Sequence, residues 1–242
     1  MPQEVVSELA PTGVLRAAIN MGNFLLVTGH TPSGDPEGVA PDMAREIAAR
    51  LGVAVRYVPY TRPGELADAA GVGAWDIGLI GAEPQRAEKI AFTPAYVEIE
   101  ATYLVAPGSP LQAIAEVDRA GVRIAVTARS AYDLWLERNI KNAQLVRSEG
   151  GDGAFKQFVE EKLDALAGLR PRLSEDAAKL PGSRILDGQF TAVQQAIGTE
   201  RKNTAGAAFL REFVEEAKRS GLVTRLIERH GVAGRLSVAP PA

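Results

Sequence analysis

Residues 75–96 read WDIGLIGAEPQRAEKIAFTPAY, and this stretch decides how the rest of the chain is read. Residues 77–80 form a short apolar strand, with Gly78 and Leu79 in it, that opens into a turn-rich loop, Gly81-Ala82-Glu83-Pro84. The loop carries one cation, Arg86, and the stretch closes on Ile90-Ala91-Phe92 followed by Thr93-Pro94. A strand that ends in small residues leaves its backbone groups unobstructed. An Arg just beyond it offers a planar fork of donors that suits a carboxylate. This predicts a pocket for a small organic acid at the carboxyl end of a parallel strand. The plainer reading makes Arg86 a solvated helix-start residue paired with Glu83 or Glu88, since most surface ion pairs contribute little.

Working back towards the N-terminus, residues 13–19 (GVLRAAI) predict a first strand, and Asn20-Met21-Gly22-Asn23-Phe24 a loop at its carboxyl end. Residues 31–38 (TPSGDPEG) are turn-forming throughout. Pro41 and Asp42 favour a helix start, Met43, Ile47 and Leu51 give that helix an apolar face, and Gly52 ends it. Val53, Val55 and Tyr57 alternate as a second strand, and residues 66–70 form a short helix before the deciding stretch. The order β-α-β-α-β favours a mostly parallel sheet covered by helices.

Beyond Tyr96 the pattern changes. Residues 97–105 (VEIEATYLV) contain no turn residue and are long for a strand, so they suit a crossing from one sheet to another. A second alternation follows: helix near 111–117, strand 122–126, helix 130–138, strand 144–147, helix 154–161 and strand 163–168. Residues 170–179 are polar, 184–186 predict a short strand, and 191–197 (TAVQQAI) a return strand. An amphipathic pair, 207–220 and 222–229, leads into a Pro/Ala tail, with Phe209, Phe213 and Ala217 one turn apart on the first helix. Two α/β units joined by two extended crossings predict two lobes with a cleft between them.

The composition narrows the chemistry. The chain has 242 residues, 24% of them charged, and a net charge of -3, which gives no electrostatic reason to expect nucleic acid or an anionic membrane. Cys is absent, and His30 and His230 are the only histidines. Disulfides, thiolate sites and Cys nucleophiles are excluded, and a multi-His metal site or a Ser-His-Asp triad is not expected. No metal or cofactor is expected, and no apolar run approaches membrane-spanning length. Met1-Pro2-Gln3-Glu4 shows neither a basic region nor an apolar core of a secretory signal, so the expectation is a cytoplasmic chain or one whose signal was removed.

With these pieces placed, the chain resembles the family 3 extracellular solute-binding proteins, the amino-acid-binding components of ABC importers. The likeness rests on GVLRAAI, on EGVAPDMAREIAARLG (37–52), on WDIGLIGAEPQRAEKIAFTPAY, on GVRIAVTARSAYDLWL (121–136) and on EEKLDALAGLRPRL (160–173). Each motif is loose, but in the family's order they are specific together. The resemblance implies an α/β, two-lobed periplasmic-binding-protein-like fold (type II) with a hinge of two β crossings. It implies a first lobe of 1–99 and 192–242 and a second of 100–191. It also implies a periplasmic location, with a cytoplasmic one as the alternative, and a monomer that works with an ABC transporter permease.

The resemblance also assigns site residues. It places Arg86 as the clamp on a ligand carboxylate, with Gly81 at a usual ligand contact and Leu79 on the strand leading to it. It places Asn20 at a polar contact, and Asn23 and Phe24 where an aromatic stacks on the ligand. Ser130 falls where a hydroxyl residue at a helix N-terminus adds backbone donors, and Arg129 replaces a residue that is normally Gly. The acid that pairs with a ligand's α-ammonium should lie near Leu169; it is absent, and Arg170 follows. A buried ammonium needs a carboxylate partner. The expected ligand is therefore a small anionic metabolite, an organic or dicarboxylic acid ahead of an amino acid, though Glu98 and Glu100 could still serve an ammonium. The plainer readings are that Arg129 lies in solvent beside Asp133, that Arg170 is solvated, and that Asn20 and Asn23 are turn residues. Trp75 and Trp135 read as core.

The leading reading is a non-catalytic binding protein that captures its ligand by lobe closure. The alternatives are a cyclohexadienyl-dehydratase-like enzyme on the same fold, with Glu83, Glu98 or Glu100 as general acid, and a cytoplasmic ligand-sensing domain.

Overall fold

The computed structural model describes residues 1–242, except that for Gly151 only the helical backbone is described. In chain order, α1 (Gln3–Leu9), β1 (Val14–Asn20), β2 (Gly29–His30) and β3 (Pro36–Glu37) precede α2 (Val39–Leu51), β4 (Ala54–Tyr60) and α3 (Pro63–Asp68). Then come β5 (Ile77–Gly81), α4 (Pro84–Ala87), β6 (Ile90–Phe92) and β7 (Val97–Val105). A 3-10 turn (Ile114–Glu116) is followed by β8 (Arg123–Thr127), α5 (Ala131–Asn139), β9 (Gln144–Ser148) and α6 (Gly151–Glu160). The chain ends with β10 (Ala165–Leu169), α7 (Arg170–Lys179), β11 (Arg184–Ile185), β12 (Thr191–Glu200), α8 (Thr204–Arg219), α9 (Leu222–Arg229) and β13 (Ser237–Val238). It divides into two compact units, Met1–Glu98 with Gln194–Ala242, and Ile99–Val193, and passes between them within β7 and within β12.

In the first unit β1 lies between β4 and β5 and is parallel to both, with Ile19 opposite Leu79 and Asn20 opposite Tyr60. Leu15, Ala17, Ala18 and Ile19 are fully buried, the continuous apolar run of a parallel strand covered on both faces. β12 runs antiparallel to β5, with Gln195 opposite Gly81. β13 adds to the start of β7, with Ser237 opposite Glu98. Met43, Ile47 and Leu51 bury the apolar face of α2, and Gly52 takes the left-handed conformation (φ 74°) that stops it, its N–H donating to the Ala48 and Ala49 carbonyls.

The second unit repeats this plan. β8 lies between β9 and β10, parallel to both, and β10 is antiparallel to β7. Alternation along each strand splits the core. Ile124, Val126, Ala165 and Ala167 join Leu136 of α5 on one face. Ala125 and Leu166 join Phe158 of α6 and Leu173 of α7 on the other.

Several elements depart from the sequence reading. The polar run after Leu169 is a helix, α7. Pro171 supplies its first turn, and Leu173 and Asp176 turn inward with helical spacing. The helix expected near 111–117 shrinks to a single 3-10 turn entered from an extended Ala113. The loop after Gly81 contains one helical turn, α4, begun by Pro84. Neither α1 nor β13 was expected. α1 is held by packing on α8, where Gly206 approaches Leu9 so closely that a Cβ there would lie 2.7 Å from the leucine Cδ2. Along α8 the buried stripe runs through Leu210, Phe213 and Ala217, while Phe209 is only half-buried.

Candidate functional site

Parallel strands bring their carboxyl ends to one edge of a sheet, and each unit has such an edge. In the first unit β1 and β5 run side by side with Ile19 opposite Leu79, which brings Asn20 and Gly81 to the same end of the sheet, with Arg86 in the helical turn that follows. Arg86 is 5% exposed, and its Nη1 donates to the Gly81 carbonyl oxygen at 2.7 Å. Its backbone N–H donates to the Glu83 carbonyl. The guanidinium is thus folded back on the strand end and is no solvated helix-start group. The expectation that the strand end leaves its backbone unobstructed is corrected here: the Gly81 carbonyl is an anchor for Arg86. Leu79 is buried within β5 at 3% exposure.

The Asn side chains serve the loop. The Asn20 Oδ1 accepts from the Gly22 N–H at 3.0 Å. Asn23 is buried, and its Oδ1 accepts from the Leu25 and Leu26 N–H groups at 3.1 and 3.2 Å. These are turn roles of the kind Asn favours, and they set the position of Phe24. The Phe24 ring is half-buried, and the Arg235 guanidinium sits over it, 5.3 Å from the centroid. Sequence reasoning missed Arg235, because the two residues are at opposite ends of the chain and no local spacing links them. Trp75 is core, as read: it is 2% exposed and donates its Nε1–H to the Leu66 carbonyl at 3.2 Å.

In the second unit the ends of β8 and β10 carry the other candidates. Ser130 caps α5: its Oγ accepts from the Asp133 N–H at 3.1 Å and donates to the Thr127 carbonyl at 2.9 Å. Arg129 is exposed and takes a left-handed φ of 60°, which for a long side chain costs on the order of 1 kcal/mol. Its N–H donates to the Asp133 Oδ2 at 2.7 Å, and Arg147 holds the same buried carboxylate through its Nε at 2.9 and 3.0 Å. Burial pushes the Asp133 carboxyl up, against the opposing pull of the Arg129 N–H and Arg147. Burial likewise raises the Tyr132 phenol, opposed by its hydrogen bonding to Thr127 and Ser130.

Leu169 packs with Tyr132 and Phe190 against Ala101, Ala131 and Val193, so it shares one apolar patch with the first turn of α5. Arg170, next in the chain, points back along β7. Its Nε meets Glu100 at 2.5 Å, and its Nη2 donates to the Gly188 carbonyl. Arg170 is thus an ion-pair partner within its own unit, and Glu100 is engaged by it. Trp135 lies against Phe190, ring centroids 5.4 Å apart, and is half-buried on the edge of the core rather than inside it.

Among the described residues no group of three or more His, Asp or Glu side chains could hold a metal ion. Among them no helix is long and apolar enough to cross a membrane.

Known structures share this fold. The chain is similar to a mutant ArgBP from T. maritima, at 22% identity and TM-score 0.74, over 94% of this chain and 99% of that one. It is similar to the ancestral amino acid-binding protein AncCDT-1, a precursor of cyclohexadienyl dehydratase, at 22% identity and TM-score 0.73, over 93% and 98% of the two chains. A third similar structure is the amino acid ABC transporter substrate-binding protein AbpA from Streptococcus pneumoniae bound to L-arginine, at 17% identity and TM-score 0.74, over 92% and 96%. No curated protein matches the chain by sequence. The α/β periplasmic-binding-protein-like fold expected from the resemblance is the one these structures share. The profile of the bacterial extracellular solute-binding proteins, family 3, matches residues 22–233, and the chain belongs to that family.

Proposed function

We propose that this chain is a non-catalytic binding component of an ABC importer, and that it captures a small organic acid at the strand end that carries Arg86. The observation that carries the reading is the buried Arg86, folded back on the Gly81 carbonyl at the carboxyl end of β5. A buried guanidinium held at the strand end is pre-organised to meet a carboxylate. The resemblance adds Ser130, the hydroxyl residue that caps the first turn of α5.

The ligand class follows from charge. The resemblance implies that the partner of an α-ammonium should lie near Leu169, and no acid stands there in Gly168-Leu169-Arg170. Glu100 lies on β7, which pairs Leu169 with Ala101, and it is already engaged by Arg170 at 2.5 Å. Asp133 is buried under Arg147 and the Arg129 N–H. These pairings favour a di- or tricarboxylate over an amino acid.

Calorimetry with succinate, citrate, L-glutamate and L-arginine tests this reading. Tightest binding of succinate or citrate supports it. Tightest binding of L-arginine, or binding of none, overturns it. An enzymatic reading is favoured by one observation, the buried Glu83 carboxyl at the same strand end, 8% exposed, which a dehydratase of cyclic acids could use as general acid. Absence of turnover with prephenate removes that reading.

A further inference from the structure

We infer that Arg235 is a specificity-determining residue of this same site, a second cation that selects anionic ligands from its place over Phe24; the inference rests on the reading just given. Phe24 is positioned by the Asn23 turn, directly after the carboxyl end of β1. Arg235 comes from the segment between α9 and β13 and stacks on that ring, 5.3 Å from guanidinium carbon to centroid.

That segment is anchored on both sides. Val232 and Leu236 are buried, and the Arg235 N–H donates to the Val232 carbonyl at 3.1 Å. The following β13 is fixed to the start of β7 by its register, Ser237 opposite Glu98. The side chain is therefore delivered to the ring by a backbone held at two points.

Stacking engages the face of a guanidinium, whereas its N–H donors lie in the plane of the group. An arginine over an aromatic ring is also partly dehydrated, being half-buried here, and a less hydrated cation attracts an anion more strongly. The aromatic that would stack on a ligand thus has a cation on one of its faces. Such a ring surface favours an acid and disfavours a cationic ligand. The competing explanation is packing alone, in which the arginine stem merely covers the ring.

The test uses the full chain with succinate, citrate and L-arginine as probes. Arg235→Met keeps the apolar stem and removes the charge, and Arg235→Lys keeps the charge. With the acid that wild type binds tighter, Arg235→Met is expected to lose about tenfold in affinity and Arg235→Lys to stay within roughly threefold. L-Arginine should bind Arg235→Met no more weakly than wild type. Unchanged affinity of Arg235→Met for the acid overturns the inference alone. So does an Arg235→Lys variant as weak as Arg235→Met, which would mark a packing role. Should Arg235→Met lack a cooperative melt, Arg235→Gln takes its place in the same comparison. If wild type binds neither acid, the proposed function itself fails and the inference falls with it.

Discussion

The Nη1 of Arg86 donates to the carbonyl oxygen of Gly81 at 2.7 Å, so a cation and the strand end five positions before it form one rigid unit inside the first half of the chain. A buried charge is tolerated only when it is hydrogen-bonded. Replacing Arg86 by Met should weaken binding of the preferred acid by about 2–3 kcal/mol, the scale of a charge-assisted bond, or roughly a hundredfold. Lys at this position should recover only part of it, because a point charge cannot reproduce the fork. Calorimetry on both variants checks this, and equal affinity in Arg86→Met would remove Arg86 from the site.

Leu169 is the position to reverse. An Asp there would stand in the apolar patch with Tyr132 and Phe190 and could pair with an α-ammonium. Leu169→Asp should raise affinity for a neutral amino acid such as L-glutamine by about tenfold and lower that for succinate. Competition binding measures both, and movement of neither would show that residue 169 does not read the ligand.

Asp133 controls a pH dependence. Its folded carboxyl is raised by burial, with the Arg129 N–H and Arg147 pulling the other way. A group raised on folding favours the protonated form in the native state. Its contribution is fully present below the ordinary Asp range and is lost as pH rises through the folded value. Asn keeps an acceptor for the Arg129 N–H and cannot ionise. The stability of wild type relative to Asp133→Asn should therefore fall as pH rises from below the ordinary Asp range towards neutral. Denaturant unfolding at several pH values reads this, and a gap that widens towards neutral pH would contradict it.

Ser130→Ala removes the α5 cap, an acceptor for the Asp133 N–H and a donor to the Thr127 carbonyl. Unfolding should become easier by about 1 kcal/mol. A chemical melt unchanged within error would argue that water replaces the hydroxyl.

Gly198 shows where backbone approach leaves no room. A Cβ there would lie 2.2 Å from the Ile90 Cγ2 and 3.1 Å from the Phe92 Cδ1. Gly198→Ala should destabilise the first unit by about 1–3 kcal/mol, seen as a lower unfolding midpoint by circular dichroism.

Much of the fold was legible in the residues. β5, β7, β8, α2 and α9 announce themselves through apolar runs, period-four spacing and terminal glycines, which are local signals. α1 and β13 were invisible because they exist through contacts with distant partners, α8 and β7. α7 was obscured by its polar composition, since a helix with one buried turn face shows little hydrophobic period.

By itself the sequence determined the family, the alternation of strands and helices, and which residue types stand just beyond the strand ends, Arg86, Ser130 and Leu169 among them. The tertiary structure decided what those groups do with one another. It turned Arg86 onto Gly81, closed Arg170 on Glu100, turned the Asn20 and Asn23 oxygens onto their own loop, and laid Arg235 over Phe24. Periodicity is a property of neighbouring residues and can be read along the chain. Charge pairing depends on distances of a few ångströms between residues remote in sequence, and only folding sets those.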